Sequence, residues 1–238
     1  MDDKGSLSGV YVTSLSRGVE VLVKNNTLEN RNNGISIYGH SNNTPTITGN
    51  TIKGSTNQGT GIEVSHKTKA TIENNTIENK QDGIRVNYSD ANGDGSSTIT
   101  GNVIKGNSGY GIRVESYAKP VISLNDIEDN SGYFVDNQTT FTVDARNNWW
   151  GETLKAVIES GDNPRALDKF YDQYDDSTKG LINYAGWLEF SPNSVKTEIT
   201  NIFKVATLDG ANAYWDASTD SSVKGYWVFY GVAADGTY

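Results

Sequence analysis

The chain has 238 residues, a formal net charge of −9 and no cysteine. This length allows one large domain or two modest domains with ample room for a core. The lack of cysteine excludes a disulfide framework and thiol chemistry, and the negative charge argues against nucleic acid and anionic membranes as partners.

The sequence contains neither a transmembrane run nor a signal sequence. Its richness in Asn, Thr, Gly and Tyr, with one Met, is typical of extracellular bacterial or archaeal proteins. We therefore expect a secreted or cell-surface location.

One short phrase recurs between Val21 and Gly151. Its fixed asparagine returns at intervals of 23 to 27 residues, as Asn26, Asn50, Asn75, Asn102 and Asn125. A repeat this short cannot bury its own apolar face, so it predicts one coil of a solenoid stacked on similar coils. The strands then pair in parallel about 4.8 Å apart, and the asparagines stack inside a turn.

Two aliphatic columns and one charge column follow from the same alignment. The first inward column is Ile47, Ile72, Ile99 and Ile122, and the second is Leu28, Ile52, Ile77, Ile104 and Ile127. The residue after the second column alternates in sign, as Glu29, Lys53, Glu78, Lys105 and Glu128. Such pairs contribute about 0 to 1 kcal/mol each, but they oppose a register slip that would bring like charges together.

Four of the five copies are followed by a Gly-aliphatic-x-aliphatic phrase. These phrases are Gly34 to Ile37, Gly61 to Val64, Gly83 to Val86 and Gly111 to Val114. Over about residues 9 to 190 the pattern resembles the right-handed parallel β-helix repeat shared by pectate lyases, alginate epimerases, phage tailspikes and surface adhesins. The resemblance implies an all-β fold, a right-handed parallel β-helix with short capping helices and a C-terminal β-rich appendage.

The repeat ends at Asn147-Asn148-Trp149-Trp150-Gly151, where tryptophans replace the usual isoleucine. We expect them to cover the apolar end of the solenoid. Apolar residues at helical spacing then predict two short helices, residues 153 to 159 and 164 to 174. Residues 1–190 are thus predicted to form the β-helix with its cap.

From Glu198 the pattern changes to strand-like alternation. Residues 213–220 and 225–231 resemble early strands of a fibronectin type III domain, but that domain needs about 100 residues. Residues 191–238 are therefore predicted to be either part of such a domain or an accessory β segment.

A calcium loop is predicted in the longest connection between coils. Asp90, Asn92 and Asp94 alternate before Gly95, as oxygen ligands do at the start of a calcium loop. Position twelve of that motif is Gly101 rather than Glu. The cofactor prediction is a structural Ca²⁺, and an ordinary turn-rich insertion is the alternative.

The Gly-aliphatic strands project alternate side chains outward on one face, with further residues just past them. The candidate carbohydrate-binding residues are Tyr38, Glu63, His66, Arg85, Asn87, Tyr88, Arg113, Glu115 and Tyr117. Aromatic rings cover the apolar faces of sugars while polar groups bond the hydroxyls. The alternative is that the charged members only pair across coils as a solvated ladder.

The favoured function is a non-catalytic carbohydrate-binding module of a secreted polysaccharide-degrading protein, with a plant-type β-glycan such as xylan as ligand. The prediction of binding rests on the resemblance to the β-helix binding modules of plant-cell-wall enzymes. It also rests on the absence of a set of residues that matches the catalytic motifs of β-helix enzymes. The expected partners are a polysaccharide and other domains of a larger protein. One alternative is a lyase or epimerase for uronic-acid polymers, with Arg85 or Arg113, His66 and Tyr88 as candidates. Another is an adhesin or surface-layer spacer.

Overall fold

The computed structural model describes residues 8–15, 20–39, 43–55, 58–91, 95–193, 203–207 and 210–214. The chain divides into two compact units, Met1–Asn193 and Ser194–Tyr238. In the described part of the chain no helix is long and apolar enough to cross a membrane.

The first unit is a parallel β-helix built from three sheets, which confirms the predicted fold. The first sheet is β1 (Val10–Leu15), β4 (Ile35–Gly39), β7 (Thr60–His66), β10 (Asp82–Tyr88), β13 (Ile112–Ser116), β16 (Val135–Asn137) and β18 (Phe170–Tyr171). The second is β2 (Leu22–Lys24), β5 (Thr46–Thr48), β8 (Thr71–Glu73), β11 (Thr98–Thr100), β14 (Val121–Ser123), β17 (Val143–Asp144) and β19 (Ile182–Asn183). The third is β3 (Thr27–Glu29), β6 (Thr51–Lys53), β9 (Thr76–Glu78), β12 (Val103–Lys105) and β15 (Asp126–Glu128).

The core is formed by the predicted aliphatic columns. Ile47, Ile72, Ile99 and Ile122 pair in register in the second sheet and are fully buried. In the third sheet Ile52, Ile77, Ile104 and Ile127 do the same, with Leu28 half-buried at the end of the column. Stacking of the coils buries most of the apolar surface that a single coil would expose. Each Å² of apolar surface buried stabilises the fold by about 25 cal/mol.

The asparagine column is a continuous hydrogen-bonded ladder. Each Nδ2 donates to the Oδ1 of the asparagine one coil further, at 2.9 to 3.0 Å, from Asn26 through Asn125. The ladder ends on Asn148, which accepts from Asn125 at 2.9 Å. A second, shorter ladder joins Asn107 to Asn130 at the next corner, and the sequence analysis missed it. Both ladders fix the register of the coils because each link joins equivalent positions.

One helix caps the solenoid among the described residues, α1 (Gly151–Glu159). It packs Leu154 and Ile158 into the core, as predicted for residues 153 to 159. The prediction of a second helix over residues 164 to 174 is wrong. Phe170 and Tyr171 instead pair with β16 as an extra strand, because this pairing satisfies their backbone while Phe170 packs edge-on against the buried Trp150.

The second unit is described over one antiparallel pair, β20 (Phe203–Thr207) with β21 (Gly210–Tyr214). Of the predicted fibronectin-like segments, 213–220 and 225–231, residues 213 and 214 lie in β21 and the remainder lies outside the described residues.

Candidate functional site

The outward side chains of the first sheet form one column that crosses seven coils. In register order the column is Tyr11, Ser36, Glu63, Arg85, Arg113, Asp136 and Tyr171. We call the outward side of this sheet, with the residues that directly flank it, the polar face. Parallel pairing places its successive side chains about 4.8 Å apart along the solenoid axis.

The centre of the polar face is a network of ion pairs. Glu115 accepts a hydrogen bond from the Nε of Arg85 at 2.8 Å through its Oε2. Its Oε1 lies 2.8 Å from the Nε of Arg113. Arg85 Nη1 also lies 3.9 Å from Glu63, and Arg113 Nε lies 3.4 Å from Asp136. Three of these four pairs join neighbouring coils, as in the predicted alternative, whereas Arg113 and Glu115 lie on the same strand.

The pairs around Arg113 are close without being well aligned. The Nε–H of Arg113 and the Oδ2 of Asp136 are both buried and have no partner with hydrogen-bond geometry. Gln138 donates instead to the other oxygen of Asp136 at 2.6 Å. We conclude that proximity of charge, rather than directed hydrogen bonds, holds this part of the network.

Burial raises the pKa of two carboxyls in the network. For Asp82 the raising effect of burial outweighs the hydrogen bond from the Tyr110 amide and the nearby arginines. For Asp136 burial again dominates, against the lowering effects of Gln138 and Arg113. The pKa of Arg85 is raised, first by its hydrogen bond to Glu115. Carboxylates outnumber guanidinium groups here, so the face carries no excess of positive charge.

Aromatic rings flank the network on the N-terminal side. Tyr11 is 61% exposed, and its ring centroid lies 5.5 Å from that of Tyr38. His66 meets Tyr38 edge-on with centroids 5.8 Å apart. The Tyr38 hydroxyl donates to Glu63 at 2.7 Å, and burial together with Glu63 raises the pKa of Tyr38 to about 12. These three rings, on successive coils, present apolar surface beside polar groups.

A second group of rings lies on the C-terminal side. Tyr110 and Tyr133 are stacked, with centroids 6.1 Å apart. Tyr171 continues the row at 5.4 Å from Tyr133, and Arg113 covers Tyr110 at 4.8 Å. Each of these three rings is half-buried, and none of them is as exposed as Tyr11.

Most predicted binding residues lie on or beside the polar face, but not all. Asn87 donates to Glu115 at 3.3 Å, and Tyr117 is 41% exposed. The prediction of Tyr88 as a surface residue is wrong, because it is 2% exposed. Burial alternates along β10, so Tyr88 shares the inward direction of Val86. That alternation was available in the sequence, since Tyr88 stands an even number of residues from Ile84.

Tyr11, Asp136 and Tyr171 are members of the face that the candidate residues did not include. The register of β1 identifies Tyr11 from the sequence, because it occupies the same phrase position as Ser36. Tyr171 gave no such signal, since its segment is not a copy of the repeat.

His40 lies outside the described residues. The exposed His66 has a left-handed backbone with φ of 65°, and its Nδ1 lies 2.9 Å from the Ser65 hydroxyl. Ser65 is buried, so this contact anchors the ring at the end of β7.

The predicted calcium site is wrong. Asp90 forms an ion pair with Lys67 at 2.8 Å, linking it to the preceding coil. Asn92 and Asp94 lie outside the described residues. Across the part of the chain that the structure describes, no group of three or more His, Cys, Asp or Glu side chains is placed to hold a metal ion.

A cavity of about 520 Å³ lies beside α1, away from the predicted site residues. Phe134, Leu154 and Leu167 form its apolar wall, and Lys169 lies at its edge. The Lys169 ammonium donates to the carbonyls of residues 130, 131 and 132. All three of its protons are thus used by the backbone, and it is not available to an anionic ligand.

Comparison with known proteins gives one family. A family model described as "Periplasmic copper-binding protein (NosD)" matches residues 3–166. No curated protein and no solved structure gives a significant match. The description names the periplasm, which agrees with the predicted location outside the cytoplasm, and it names copper rather than calcium.

Proposed function

This chain belongs to the NosD family, and we propose that its β-helix is an exported, non-catalytic module that binds a neutral polysaccharide on the polar face. The observation that carries the proposal is the row of Tyr11, Tyr38 and His66 beside Arg85 and its carboxylates. Exposed ring surface next to fixed donors and acceptors is the combination that sugar rings require.

The spacing of the face supports an extended glycan. Successive coils lie about 4.8 Å apart, close to the roughly 5 Å rise of one sugar in an extended chain, so neighbouring sugars meet equivalent positions on neighbouring coils. Tyr38 is held in place by its bond to Glu63, and a pre-organised ring costs less entropy on binding. A plant-type β-glycan such as xylan is the ligand that we put forward.

The charge of the face supports a neutral ligand over a uronic-acid polymer. Each arginine already has a carboxylate within 2.8 Å, and Asp82 and Asp136 add further acidic groups nearby. An acidic polymer would meet net repulsion here. The alternative of a uronic-acid lyase or epimerase is further weakened because its candidate Tyr88 is buried.

Copper does not fit the residues of this chain. Copper sites in proteins use imidazole, thiolate and thioether ligands, and the whole sequence has two His, one Met and no Cys. Of these only His66 lies among the described residues, beside the Ser65 hydroxyl. We therefore assign copper no role in the proposed function.

Affinity electrophoresis tests the proposal. The chain is run in native gels containing xylan, a mixed β-glucan or polygalacturonate, and its migration is compared with that in a gel without glycan. We expect retardation by a neutral glycan, and about tenfold weaker binding for Tyr38→Ala, which corresponds to about 1.4 kcal/mol. Tyr174→Ala is the matched control, because Tyr174 is 47% exposed and its hydroxyl donates to the carbonyl of Pro164 in the cap, away from the polar face.

The other functions give different results in the same assay. Retardation by polygalacturonate, with ultraviolet absorbance of an unsaturated product, would favour the lyase. Unchanged migration in every glycan would overturn the proposal and leave the spacer.

A further inference from the structure

A buried carboxylate holds the last described segment of the first unit against the third sheet. Asp126 starts β15 and points outward, in register with Val103 on one side and Trp149 on the other. It is nevertheless only 4% exposed. The cover comes from the segment of residues 188–193, which follows the cap.

The segment is fastened at three points. The amide of Leu188 donates to the carbonyl of Asn148 at 2.9 Å. The Ser191 hydroxyl donates to Oδ2 of Asp126 at 2.6 Å, and the Asn193 side chain reaches the carbonyl of Leu124 at 3.4 Å. Asp126 is the only ionisable side chain in these three contacts. A change in pH therefore affects the attachment of the segment through the charge of this carboxyl.

The second oxygen of Asp126 is anomalous. Oδ1 is buried and has no partner with full hydrogen-bond geometry within the described residues. The side chain and amide of Asn193 lie close enough to lower the pKa of the carboxyl, but by less than burial raises it. A buried oxygen without a partner costs much more free energy when the carboxyl is ionised than when it is neutral. Covering Asp126 therefore favours its protonated form.

We propose that Asp126 is a proton-operated latch, which holds residues 188–193 on the third sheet when neutral and loosens them when ionised. The groups in register or in contact with the carboxyl are uncharged apart from one on its own strand: Val103, Trp149, Ser191 and Asn193 surround it, and Glu128 acts from two residues further on. No cation among these groups stabilises the ionised form. The latch does not depend on the proposed glycan binding.

The direction of the effect follows from the pKa. Burial raises the pKa of Asp126 from 3.8 to about 6, with Ser191 and Asn193 opposing the rise and Glu128 adding to it. A raised carboxyl pKa means that the covered state binds the proton more tightly. The hold of the segment is therefore complete below about pH 4, declines as the pH rises through about 6, and is weakest above it.

Hydrogen exchange of the segment tests the latch. Amide protection of residues 189–193, corrected for intrinsic exchange rates, is measured at pH 4 and pH 7. A carboxyl pKa of 3.8 when uncovered and about 6 when covered corresponds to about 50-fold lower protection at pH 7 than at pH 4, because the uncovered carboxyl is already partly ionised at pH 4. We expect Asp126→Asn to keep high protection at both pH values, because the amide stays neutral.

Two further variants and one direct titration complete the experiment. Glu128→Gln is the matched control on the same strand and should retain the pH dependence, whereas Ser191→Ala should lower protection at both pH values. A carbon-13 titration of the Asp126 carboxyl should show a midpoint near 6 that coincides with a shift of the Ser191 amide. Protection that is equal at pH 4 and pH 7, or that keeps its pH dependence in Asp126→Asn, would overturn the proposal.

Discussion

The asparagine ladder and the polar face cross the same coils at the same spacing, yet they differ in composition. The ladder repeats one residue, and its central members are fully buried. The outward column changes at nearly every coil, from Tyr11 through Glu63 and Arg85 to Asp136. The residue inside the turn is fixed by buried hydrogen bonds that only asparagine satisfies, whereas the half-exposed positions of the outward column, such as that of Arg85, meet water and accept different side chains.

This difference separates the part of the repeat that builds the fold from the part that is free to acquire a ligand. Asn102 shows why the inside is constrained: its Nδ2 donates to Ile72, Thr100 and Asn125. On the polar face Arg85 is 38% exposed, so water replaces a lost partner at little cost.

The largest effect is expected from breaking the ladder. Asn102→Ala leaves a buried carbonyl and the amide of Asn75 without partners, and each such group costs about 1 to 3 kcal/mol. We expect a loss of at least about 3 kcal/mol in the free energy of unfolding, measured by urea denaturation. Asn26→Ala, at the half-buried end of the ladder, should lose about 1 kcal/mol. Equal small losses for both would contradict the importance of burial.

A smaller loss is expected at the turn that carries the ladder. Gly101 has φ of +65°, and an added Cβ would lie 2.6 Å from Asn74 Oδ1. Gly101→Ala should cost about 2 kcal/mol, from the left-handed backbone and the contact together. In the Asn74→Gly background the contact is absent, so the cost of adding Gly101→Ala to that variant measures the backbone share. Asn74→Gly alone is the reference, because Asn74 also has a left-handed backbone with φ of 54°. No added cost in the double variant would mean that the backbone conformation at Gly101 contributes nothing.

On the polar face, Asp136→Asn tests whether the buried carboxylate lowers the free energy of unfolding at neutral pH. Because burial raises the pKa of Asp136, its stabilising contribution is present in acid and is lost as the pH rises. The variant should therefore be more stable than the natural chain at pH 7, by on the order of 1 kcal/mol, and nearly equal at pH 4. Urea denaturation at both pH values measures this, and a variant that is less stable at pH 7 would show that Asp136 is a net stabilising partner of Arg113.

The smallest effect is expected from the alternating charges of the third sheet. Lys53 lies 3.3 Å from Glu78 and pairs in register with Glu29. Lys53→Glu places three acidic residues in a row and should cost about 1 kcal/mol at low salt, most of it recovered at high salt. Lys53→Gln removes the attraction to Glu29 and Glu78 without adding a negative charge. The difference between the two variants therefore measures the repulsion alone. A cost that does not change with salt would argue against an electrostatic origin.

The sequence by itself determined the coil, its register and its inward columns, because each depends on neighbours one repeat away. Ile72 meets Ile47 and Ile99, and Lys53 meets Glu78, wherever the copies are aligned. It also placed Glu63, Arg85 and Arg113 on one face. It did not settle whether those charges pair, since pairing depends on side-chain reach across coils.

Only the tertiary structure decided what covers each outward position. Asp126 occupies an outward site by its phrase, yet it is buried by Ser191, 65 residues further along the chain. Residues 164 to 174 have helical spacing, yet Phe170 and Tyr171 extend the first sheet because the last coil offered an unpaired edge. A repeat fixes the contacts between copies, whereas the segments that close the solenoid follow no repeat and are placed by the surface that the finished coils leave uncovered.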